Sequence, residues 1–520
     1  MNKKTFSSFY LILLLSIVSL LEVSCKSKKV YENSAKQSDA PPNIIVFLVD
    51  DMGPMDTSVP FISDTLNNTK KYPLNNFYRT PHMDELAKQG VRFTNFYAHS
   101  VCSPSRTTIM TGQNSARHHV TTWIDPFNNN KGKYGPPDWN WKGLTSKSIT
   151  IPRLLHTVGY QTIHIGKGHF GPKGSEGANP LNLGFDVNIG GGYMGRPGSY
   201  YGKDGYGNIK GDKGRAVPGL EKYYDKDVFL TEALTLEANK AITEAHQQGK
   251  PFYLYMSHYA VHAPFQSDPR FANHYKNSGK SKKAIAYATL VEGMDKSLGD
   301  IIAHVKEMGV GNNTLILFLG DNGSDAPLPI KNNYSSSAPL KGKKGNHWEG
   351  GIRVPFMAAW VTPDSESPNQ KMYPIAVGAI QTELGDITDI FPTLCKVAGA
   401  PIPSNYTYDG ASLLTQFRGL YNDTRQNIFI NHFPHEHRSN YFTSMVNGHW
   451  KVVYHYPIKT NQPQYELFDL STDPFETTNL AAEKPKKLLE NMKLLEKQLT
   501  IEGAQYPVKN GQELRLIMPN

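Results

Sequence analysis

Residues 43–49 read Asn-Ile-Ile-Val-Phe-Leu-Val and are followed at once by Asp50, Asp51, Met52 and Gly53. A continuous apolar run of this length predicts a strand that is buried on both faces at the centre of a parallel sheet. Because α/β sheets bind their ligands at the carboxyl ends of such strands, the two aspartates are expected to face a binding site. Helix capping or a turn would explain one of these aspartates more readily than two.

A second apolar run repeats this arrangement later in the chain. Residues 314–319 read Thr-Leu-Ile-Leu-Phe-Leu and lead into Gly320, Asp321, Asn322 and Gly323. Together the two strand ends offer only oxygen donors, which suits one hard divalent cation, calcium before magnesium, and argues against zinc. The candidate metal ligands are therefore Asp50, Asp51, Asp321 and Asn322.

A cysteine-containing run lies between these two strands. Residues 102–112 read Cys-Ser-Pro-Ser-Arg-Thr-Thr-Ile-Met-Thr-Gly, and a β-like stretch at 91–97 precedes them. The run itself suits a helix, which places Cys102 at a strand-to-helix turn. Ser103 or Ser105 is expected to cap this helix, whose free N–H groups would face an anion. A buried structural cysteine is the alternative interpretation.

The string Cys-x-Pro-Ser-Arg resembles the maturation signature of type I sulfatases, a family of the alkaline phosphatase superfamily. In that family the cysteine is oxidised to formylglycine by a formylglycine-generating enzyme. The resemblance extends over roughly residues 43–480. It implies an α/β catalytic domain, residues 43–426, whose mixed and largely parallel sheet lies between helices. A smaller α+β domain with an antiparallel sheet and a helix would follow at residues 427–520.

Two further segments extend this resemblance. Residues 166–169, Gly-Lys-Gly-His, correspond to the family's Gly-Lys-Trp-His with Gly168 in place of the bulky residue. The roles of Lys167 and His169 therefore carry over, whereas the wall that a tryptophan would form does not. Residues 262–265, His-Ala-Pro-Phe, resemble the segment that supplies the leaving-group histidine, and this selects His262 over His258.

A lysine-rich turn also matches the family. Residues 340–355 resemble its Arg-Gly-Gly-Lys-Gly…Glu-Gly-Gly-Ile-Arg-Val-Pro stretch, although Lys341 replaces the arginine and Lys343 replaces a glycine. Alignment on the final Lys-Gly makes Lys344 the sulfate-binding lysine. Solvated lysines in a glycine turn are the alternative interpretation.

The resemblance implies a mechanism for sulfate ester hydrolysis. One hydroxyl of the hydrated formylglycine, which is also a metal ligand, would attack sulfur while Arg106 orients it. Lys167, Lys344 and the cation would hold the sulfuryl oxygens. His262 would donate a proton to the leaving oxygen, and His169 would take one from the second hydroxyl to release sulfate.

The first residues of the chain predict export. Residues 1–25 combine an early positive region with an apolar run at 9–21, which is short for a membrane span, and they end in a sequence like a lipoprotein box. Cys25 is the expected lipidation site, with Glu22 departing from the usual pattern, and a plain secretory signal is the alternative. Residues 26–42 are expected to be a polar tether. The protein is therefore expected in the periplasm or at the cell surface, where a lipid would be its sole membrane contact.

Composition limits the classes of function. The chain of 520 residues has 55 Lys and Arg against 46 Asp and Glu, a net charge of +9, which suits a polyanionic substrate or ordinary solubility equally. No nucleic-acid motif accompanies this charge, so nucleic acid is not an expected partner. The chain has three cysteines and implies no disulfide framework, because Cys395 lies in an apolar helical pattern.

Some aromatic and basic segments are candidates for substrate contacts. Residues 190–219 form a glycine- and tyrosine-rich stretch that reads as a lid over the substrate or as a flexible excursion. The histidines within 432–437 could border the substrate cleft. Basic residues of the first segment and tryptophans that could stack on sugar rings are Arg196, Lys203, Lys210, Lys213, Trp123, Trp139 and Trp141.

The leading prediction is a sulfatase that acts on a sulfated polysaccharide or its oligosaccharides. One alternative is a phosphonate or phosphate diester hydrolase that uses the same modified residue. The other is a glycan-binding surface lipoprotein in which Cys102 is never modified. The sequence identifies neither the sugar nor the sulfated position, and it leaves endo or exo action and the oligomeric state open.

Overall fold

The computed structural model describes residues 40–63, 68–329, 336–459 and 462–520. The predicted signal peptide with Cys25 and all but the last residues of the predicted tether lie outside these ranges, so both stay predictions. Within the described ranges, no helix has the length and apolar character needed to cross a membrane. Residues 41–520 pack as one compact unit.

The secondary structure alternates between strands and helices along most of the chain. The strands are β1 Asn43–Val49, β2 Ile62–Ser63, β3 Thr69–Lys70, β4 Val91–Phe93, β5 Phe96–Tyr97, β6 Gln161–Gly166, β7 Val187–Ile189, β8 Phe252–Ser257, β9 Thr314–Gly320, β10 Phe356–Trp360, β11 Ala379–Gln381, β12 Gly385–Asp386, β13 Ile428–Phe433, β14 Phe442–Asn447, β15 Trp450–His455, β16 Tyr465–Asp469, β17 Val508–Lys509 and β18 Gln512–Glu513. The α-helices are α1 Pro81–Gln89, α2 Cys102–Thr111, α3 Ser115–His118, α4 Ile151–Thr157, α5 Leu230–Gln247, α6 Ala272–Tyr275, α7 Lys282–Glu307, α8 Glu349–Ile352, α9 Pro368–Met372, α10 Ile390–Ala398, α11 Leu414–Phe417 and α12 Pro485–Glu502.

A large mixed sheet forms the centre of the molecule. Its described strands run in the order β11-β4-β10-β9-β1-β8-β6-β7. Strand β1 pairs in parallel with both β8 and β9, and β6 pairs in parallel with β7 and β8. Strand β10 is antiparallel to both of its neighbours. The sheet is therefore largely parallel, and the carboxyl ends of β1, β6, β8 and β9 meet at one edge.

Strand β1 is buried on both faces, as its uninterrupted apolar sequence predicts. The odd-numbered residues of 45–49 pack with α1, α5 and α7 on one side of the sheet. The even-numbered residues of 44–48 pack with α2, α4 and α10 on the other side. This helix–sheet–helix arrangement confirms the predicted fold class of the large domain.

A smaller antiparallel sheet follows near the carboxyl end of the chain. It has the order β13-β14-β15-β16, and β14 and β15 form the predicted hairpin. Apolar side chains of α12 pack against it, among them Leu488, Met492 and Leu495. This confirms the predicted antiparallel sheet and helix, whereas the boundary between residues 426 and 427 stays a prediction.

The predicted serine cap of the cysteine helix is wrong. Helix α2 begins at Cys102, and Val101 occupies the cap position with extended dihedral angles and no side-chain hydrogen bond to the helix. Ser103 and Ser105 therefore lie inside the first turn. The Ser105 hydroxyl donates to the carbonyl oxygen of Val101, 3.3 Å away, and thus caps no free N–H group.

One buried histidine gives a testable link between packing and pH. His258 follows β8, and its Nε2 lies 2.9 Å from the hydroxyl oxygen of Ser297. Burial lowers the pKa of His258 to about 3. In the unfolded chain this imidazole takes up a proton below about pH 6.5, whereas the folded chain leaves it neutral until far lower pH. The contribution of the neutral, buried imidazole to the free energy of unfolding is therefore complete above the pKa of the unfolded chain. It is lost as the pH falls towards about 3.

We expect the stability difference between wild type and His258→Gln to shrink in acid. Between about pH 7 and about pH 5 the free energy of unfolding of the wild type should fall by about 2 kcal/mol more than that of the variant, because only the wild type carries this histidine. Urea unfolding of both proteins at the two pH values measures the change. A difference that stays constant would show that His258 titrates normally in the folded chain.

Candidate active site

The aspartates that follow β1 meet the Asp-Asn pair that follows β9. The backbone N–H of Asp51 donates to Oδ1 of Asp321 at 3.0 Å. The side-chain amide of Asn322 donates to Oδ1 of Asp51 at 2.9 Å. Asp50 and these three residues are almost completely buried. The convergence expected from the two parallel strand ends is therefore present.

The donor set at this edge fits a hard divalent cation. Potential ligand atoms of Asp50, Cys102 and Asp321 all lie within 4.8 Å of one another. Among the described residues, Oδ2 of Asp51 and Oδ1 of Asn322 are buried oxygen atoms without a hydrogen-bond partner. Buried oxygens of this kind are costly unless a cation or donor satisfies them. Carboxylate and amide oxygens favour calcium or magnesium over zinc.

Three cationic side chains surround the acidic cluster. The guanidinium of Arg106 is fully buried and lies 2.8 Å from Oδ2 of Asp321. Nζ of Lys167 lies 2.7 Å from Oδ2 of Asp50. Nζ of Lys344 approaches Oδ1 of Asp51 to 2.5 Å. These cations balance the carboxylates, so a divalent cation would leave the site with an excess of positive charge for an anionic substrate.

The electrostatic environment shifts the pKa values of the three carboxyl groups of the site in different directions. Burial raises the pKa of Asp50 to about 6, against the opposing effect of Lys167. Burial, and then the nearby charge of Asp50, raises the pKa of Asp321 to about 6. Burial also acts to raise the pKa of Asp51, but the charges around it, led by Lys344, outweigh this and lower the pKa. Burial thus disfavours the charged forms of Asp50 and Asp321, and a bound cation would stabilise those charged forms.

His169 faces the first residue of α2. Its Nε2 lies 2.7 Å from the carbonyl oxygen of Ile124 and can only donate to it, which leaves Nδ1 as the proton acceptor. Nδ1 lies 3.4 Å from Sγ of Cys102 and 3.3 Å from the hydroxyl oxygen of Ser103. Burial, and then the charge of Lys167, holds the pKa of His169 well below its usual value. The imidazole is therefore neutral and oriented to accept a proton at position 102.

His262 approaches the same site from the loop after β8. Its Nδ1 lies 2.9 Å from the carbonyl oxygen of Ala263, and its Nε2 lies 3.5 Å from Oδ2 of Asp51. Since Nδ1 donates to the carbonyl, Nε2 is the nitrogen that can exchange a proton with a substrate. Burial, and then Lys344, lowers the pKa of His262 to about 3. A bound anionic substrate would add negative charge beside this ring and raise that pKa again.

A cavity of about 220 Å³ opens above Cys102. Four of its residues form the floor, and they are predicted site residues: Cys102, His169, His262 and Lys344. Five of its residues form what we call the cavity rim: Trp123, Arg196, Arg215, His437 and Arg438. Residues 190–219 therefore border the cavity, through Arg196 and Arg215.

Other candidate substrate contacts lie elsewhere in the fold. Trp139 packs against Val120 and Ile124 in a small buried cluster. His432 is buried beside Thr443, and His435 is buried beside Thr121. The expectation that these side chains border the cleft is therefore wrong for His432 and His435. Strand packing buries the ring of His432, and contacts with Thr121 and the carbonyl oxygen of Lys131 hold the buried ring of His435.

The structure explains why glycine replaces the bulky residue before His169. A Cβ atom at Gly168 would lie 2.9 Å from the carbonyl oxygen of Gly192. That carbonyl accepts a hydrogen bond from the backbone N–H of His169 at 2.9 Å. The backbone of residues 190–195 thus closely covers the histidine loop and leaves no space there for a larger side chain.

Sequence reasoning missed several residues of the site. The hydroxyl of Ser257, at the end of β8, lies 2.6 Å from Nη1 of Arg106. The rule that ligands gather at strand ends could have identified it. Arg215 ends the 3₁₀-helix Lys213–Arg215 inside the candidate lid, residues 190–219, and Arg438 lies in an irregular segment. The sequence singles out neither side chain, because no strand end or motif marks it.

The chain matches two family models. Residues 42–400 match the model described as Sulfatase. Residues 347–504 match the model described as N-sulphoglucosamine sulphohydrolase, C-terminal. Among curated proteins, N-acetylgalactosamine-6-sulfatase of Mus musculus is 30% identical, and the alignment covers 83% of this chain and 75% of that protein. A sulfatase of Formosa agariphila is 27% identical, with 87% and 86% covered.

Solved structures share the fold. The crystal structure of Ps i-CgsB in complex with k-i-k-neocarrahexaose superposes with a TM-score of 0.67 at 25% identity, covering 88% of this chain and 93% of that chain. The phosphonate monoester hydrolase of Agrobacterium radiobacter superposes with a TM-score of 0.59 at 18% identity, covering 89% and 96%. The second likeness concerns the fold alone.

Proposed function

The chain belongs to the sulfatase family and is a sulfuric ester hydrolase, and on this premise we propose that it acts on a sulfated carbohydrate through a formylglycine made from Cys102. One bound calcium ion, with magnesium less suited, would complete the site. The observation that carries the proposal is a single cavity floor. It joins Cys102 to His169, His262 and Lys344, and Cys102 is itself within 4.8 Å of the oxygen donors of Asp50 and Asp321.

Side chains of the floor and of the neighbouring metal cluster would each perform one part of ester cleavage. When present, the hydrated aldehyde supplies a hydroxyl nucleophile and the cation polarises the oxygens around it. Lys344 and Lys167 would hold the sulfuryl oxygens with charges that the fold fixes in advance. Arg106, anchored on Asp321 and Ser257, would orient residue 102. Nδ1 of His169 would accept the proton from residue 102 that accompanies release of sulfate.

His262 is the proposed general acid for the leaving alcohol. Its Nε2 is the nitrogen directed towards the acidic cluster at the cavity floor, because Nδ1 is held by the carbonyl oxygen of Ala263. Histidine is suited to this role when a bound anion raises its pKa towards neutrality. The nearby His258 is hydrogen-bonded to Ser297 in the core and serves as the matched structural histidine.

The proposed substrate class rests on the relatives. The mouse relative is named for a sulfate on N-acetylgalactosamine, and Ps i-CgsB was crystallised with a carrageenan hexasaccharide. A polysaccharide or its oligosaccharides would be met outside the cytoplasm. We therefore also propose export to the periplasm or cell surface, lipidation at Cys25, and a formylglycine-generating enzyme as the maturation partner.

The experiment compares leaving groups in the wild type and in His262→Ala. We expect the wild type to hydrolyse para-nitrophenyl sulfate faster than bis(para-nitrophenyl) phosphate. The His262→Ala change should lower kcat by about a hundredfold or more on a sugar sulfate, whose alkoxide leaving group needs a proton, and much less on para-nitrophenyl sulfate. Steady-state kinetics with the converted enzyme provides both comparisons.

The control variant is His258→Gln, which removes a buried histidine close by in the sequence and should affect both sulfates alike. Equal losses for His262→Ala on both sulfates would contradict the role of general acid. A wild type that prefers the phosphate diester would favour the phosphodiesterase alternative over the sulfatase.

A further inference from the structure

The cavity rim carries more positive charge than its carboxylates neutralise. On one side Arg196 and Arg215 share one oxygen, Oδ2 of Asp212, at 2.9 Å and 2.7 Å. Two guanidinium groups thus depend on a single carboxylate. The side chains of Arg196 and Arg215 remain 35% and 21% exposed, so both stay accessible to a ligand in the cavity.

A second part of the rim repeats this arrangement with different residues. Arg438 contacts Asp325 through two pairs of atoms, at 2.5 Å and 2.8 Å. Nζ of Lys343 lies 3.3 Å from Oδ1 of the same carboxylate. Here too two cations share one carboxylate, and the side chain of Arg438 is 34% exposed. Among the residues that the structure describes, each cluster therefore pairs two cations with one carboxylate and has one positive charge in excess.

These cations are separate from those that the reacting sulfate requires. Lys344 lies at the floor, whereas Lys167 and Arg106 are fully buried, and each of the three is paired with a carboxylate of the metal cluster. Arg196 and Arg215 lie within residues 190–219. Asp212 holds both guanidinium groups in position but neutralises only one of their two positive charges. Guanidinium groups held in this way recognise sulfate and carboxylate oxygens in pairs.

An aromatic side chain completes the rim. Trp123 lines the cavity with its ring centre 6.0 Å from that of His437. An indole at this position offers a flat apolar surface to the face of a sugar ring. Two cationic clusters and an aromatic surface in the lining of one cavity match a saccharide that carries more than one anionic group.

We propose that the cavity rim binds a second anionic group of the substrate, a sulfate or carboxylate on the same or a neighbouring sugar, through Arg196, Arg215 and Arg438. This inference rests on the proposed function, because it concerns the sugar attached to the sulfate that is cleaved. It restricts the substrate class to saccharides with at least two anionic groups. A saccharide with a single sulfate would leave these cations without a ligand.

The test is competition against hydrolysis of para-nitrophenyl sulfate, which has one anionic group. Two pairs of competitors are used: kappa- and iota-carrageenan hexasaccharides, which differ in the number of sulfates, and chondroitin hexasaccharides with free or methyl-esterified carboxylates. For at least one pair, we expect the concentration that half-inhibits the wild type to be about tenfold lower, or lower still, for the more anionic member than for the other member. Equal inhibition within both pairs would overturn the inference.

The variants Arg196→Gln, Arg215→Gln and Arg438→Gln locate this effect. Each should weaken inhibition by the more anionic competitor by about tenfold or more and reduce the difference within the pair. Arg215→Lys keeps the charge and should restore part of the difference, which a merely structural role would not predict. Lys210, a candidate contact from the sequence, is exposed and is not among the described residues that line the cavity, so Lys210→Gln should leave the difference unchanged.

Two further readouts make the outcomes distinct. Thermal unfolding midpoints identify a glutamine variant that loses the difference in inhibition because its structure is lost. At such a position the corresponding lysine variant is used to test the role of the charge. A wild type that does not hydrolyse para-nitrophenyl sulfate after conversion of Cys102 would refute the proposed function itself. Hydrolysis that proceeds while all three glutamine variants retain the wild-type difference would overturn only the role of the rim.

Discussion

Replacing Cys102 with alanine is expected to abolish sulfate ester hydrolysis while the protein still folds. The side chain lies at the start of α2 and faces Nδ1 of His169, so the variant removes the group that would become the nucleophile. Losing a nucleophile of this kind lowers kcat by about four orders of magnitude or more. The measurement is kcat/KM on para-nitrophenyl sulfate after expression with a formylglycine-generating enzyme.

Peptide mass spectrometry of the same wild-type samples links activity to chemistry. Across samples, the apparent kcat should increase in proportion to the fraction of Cys102 that has been converted from thiol to aldehyde. Cys395→Ala is the matched control, because Cys395 is the other buried thiol in the described part of the chain and burial raises its pKa to about 12. Activity in Cys102→Ala, or in protein with an unmodified thiol, would refute the formylglycine proposal. An unmodified thiol in protein from its own host would favour a glycan-binding role.

Removal of the divalent cation is expected to have the second-largest effect. The cluster of Asp50, Asp51, Asp321 and Asn322 contains two buried oxygens, Oδ2 of Asp51 and Oδ1 of Asn322, to which no described residue donates a hydrogen bond. Charge stabilisation by a metal ion contributes several kcal/mol to a transition state, so chelation should lower kcat by about a thousandfold or more. Calcium should restore activity best, magnesium less well, and zinc poorly. Activity before and after treatment with EGTA, and after each metal is added back, measures this.

Asp321→Asn provides the variant arm of this experiment. It keeps the shape of the side chain but removes a negative charge, so the calcium concentration needed for half-maximal activity should rise. Asp56→Asn is the control, since Asp56 is a buried carboxyl group nearby that accepts a hydrogen bond from the backbone N–H of Gly53. Burial already raises the pKa of Asp56 to about 7. Full activity in EGTA, or an identical calcium requirement in both variants, would contradict the metal site.

The sequence predicted the centre of the molecule well, for physical reasons. A strand that packs between two neighbours and two layers of helices must be apolar throughout, and residues 43–49 and 314–319 have that pattern. Parallel strands bring their carboxyl ends to one edge. Residues that follow such strands, as Asp50 and Asp321 do, therefore converge even though they are far apart in the chain.

The sequence identified only part of the cavity rim, namely Trp123, Arg196 and, among the histidines within 432–437, His437. Arg215 and Arg438 were missed because they lie in a short 3₁₀-helix and in an irregular segment, whose positions depend on tertiary contacts. The serine cap failed for a related reason. Helix boundaries depend on where the preceding chain turns, and α2 begins one residue before Ser103, so that this serine contacts His169 instead of a free N–H group.

The central strand β1 leaves the ribosome long before the strands that flank it. Its neighbours begin at Phe252 and Thr314, so the middle of the sheet cannot close until most of the large domain has been synthesised. Helix α2 packs on that sheet and has nothing to bury it before then. In the finished fold Cys102 is only 3% exposed. The proposed modification of Cys102 would therefore have to take place before the sheet closes over this residue, and on that proposal a faster-folding variant is expected to contain more unmodified thiol.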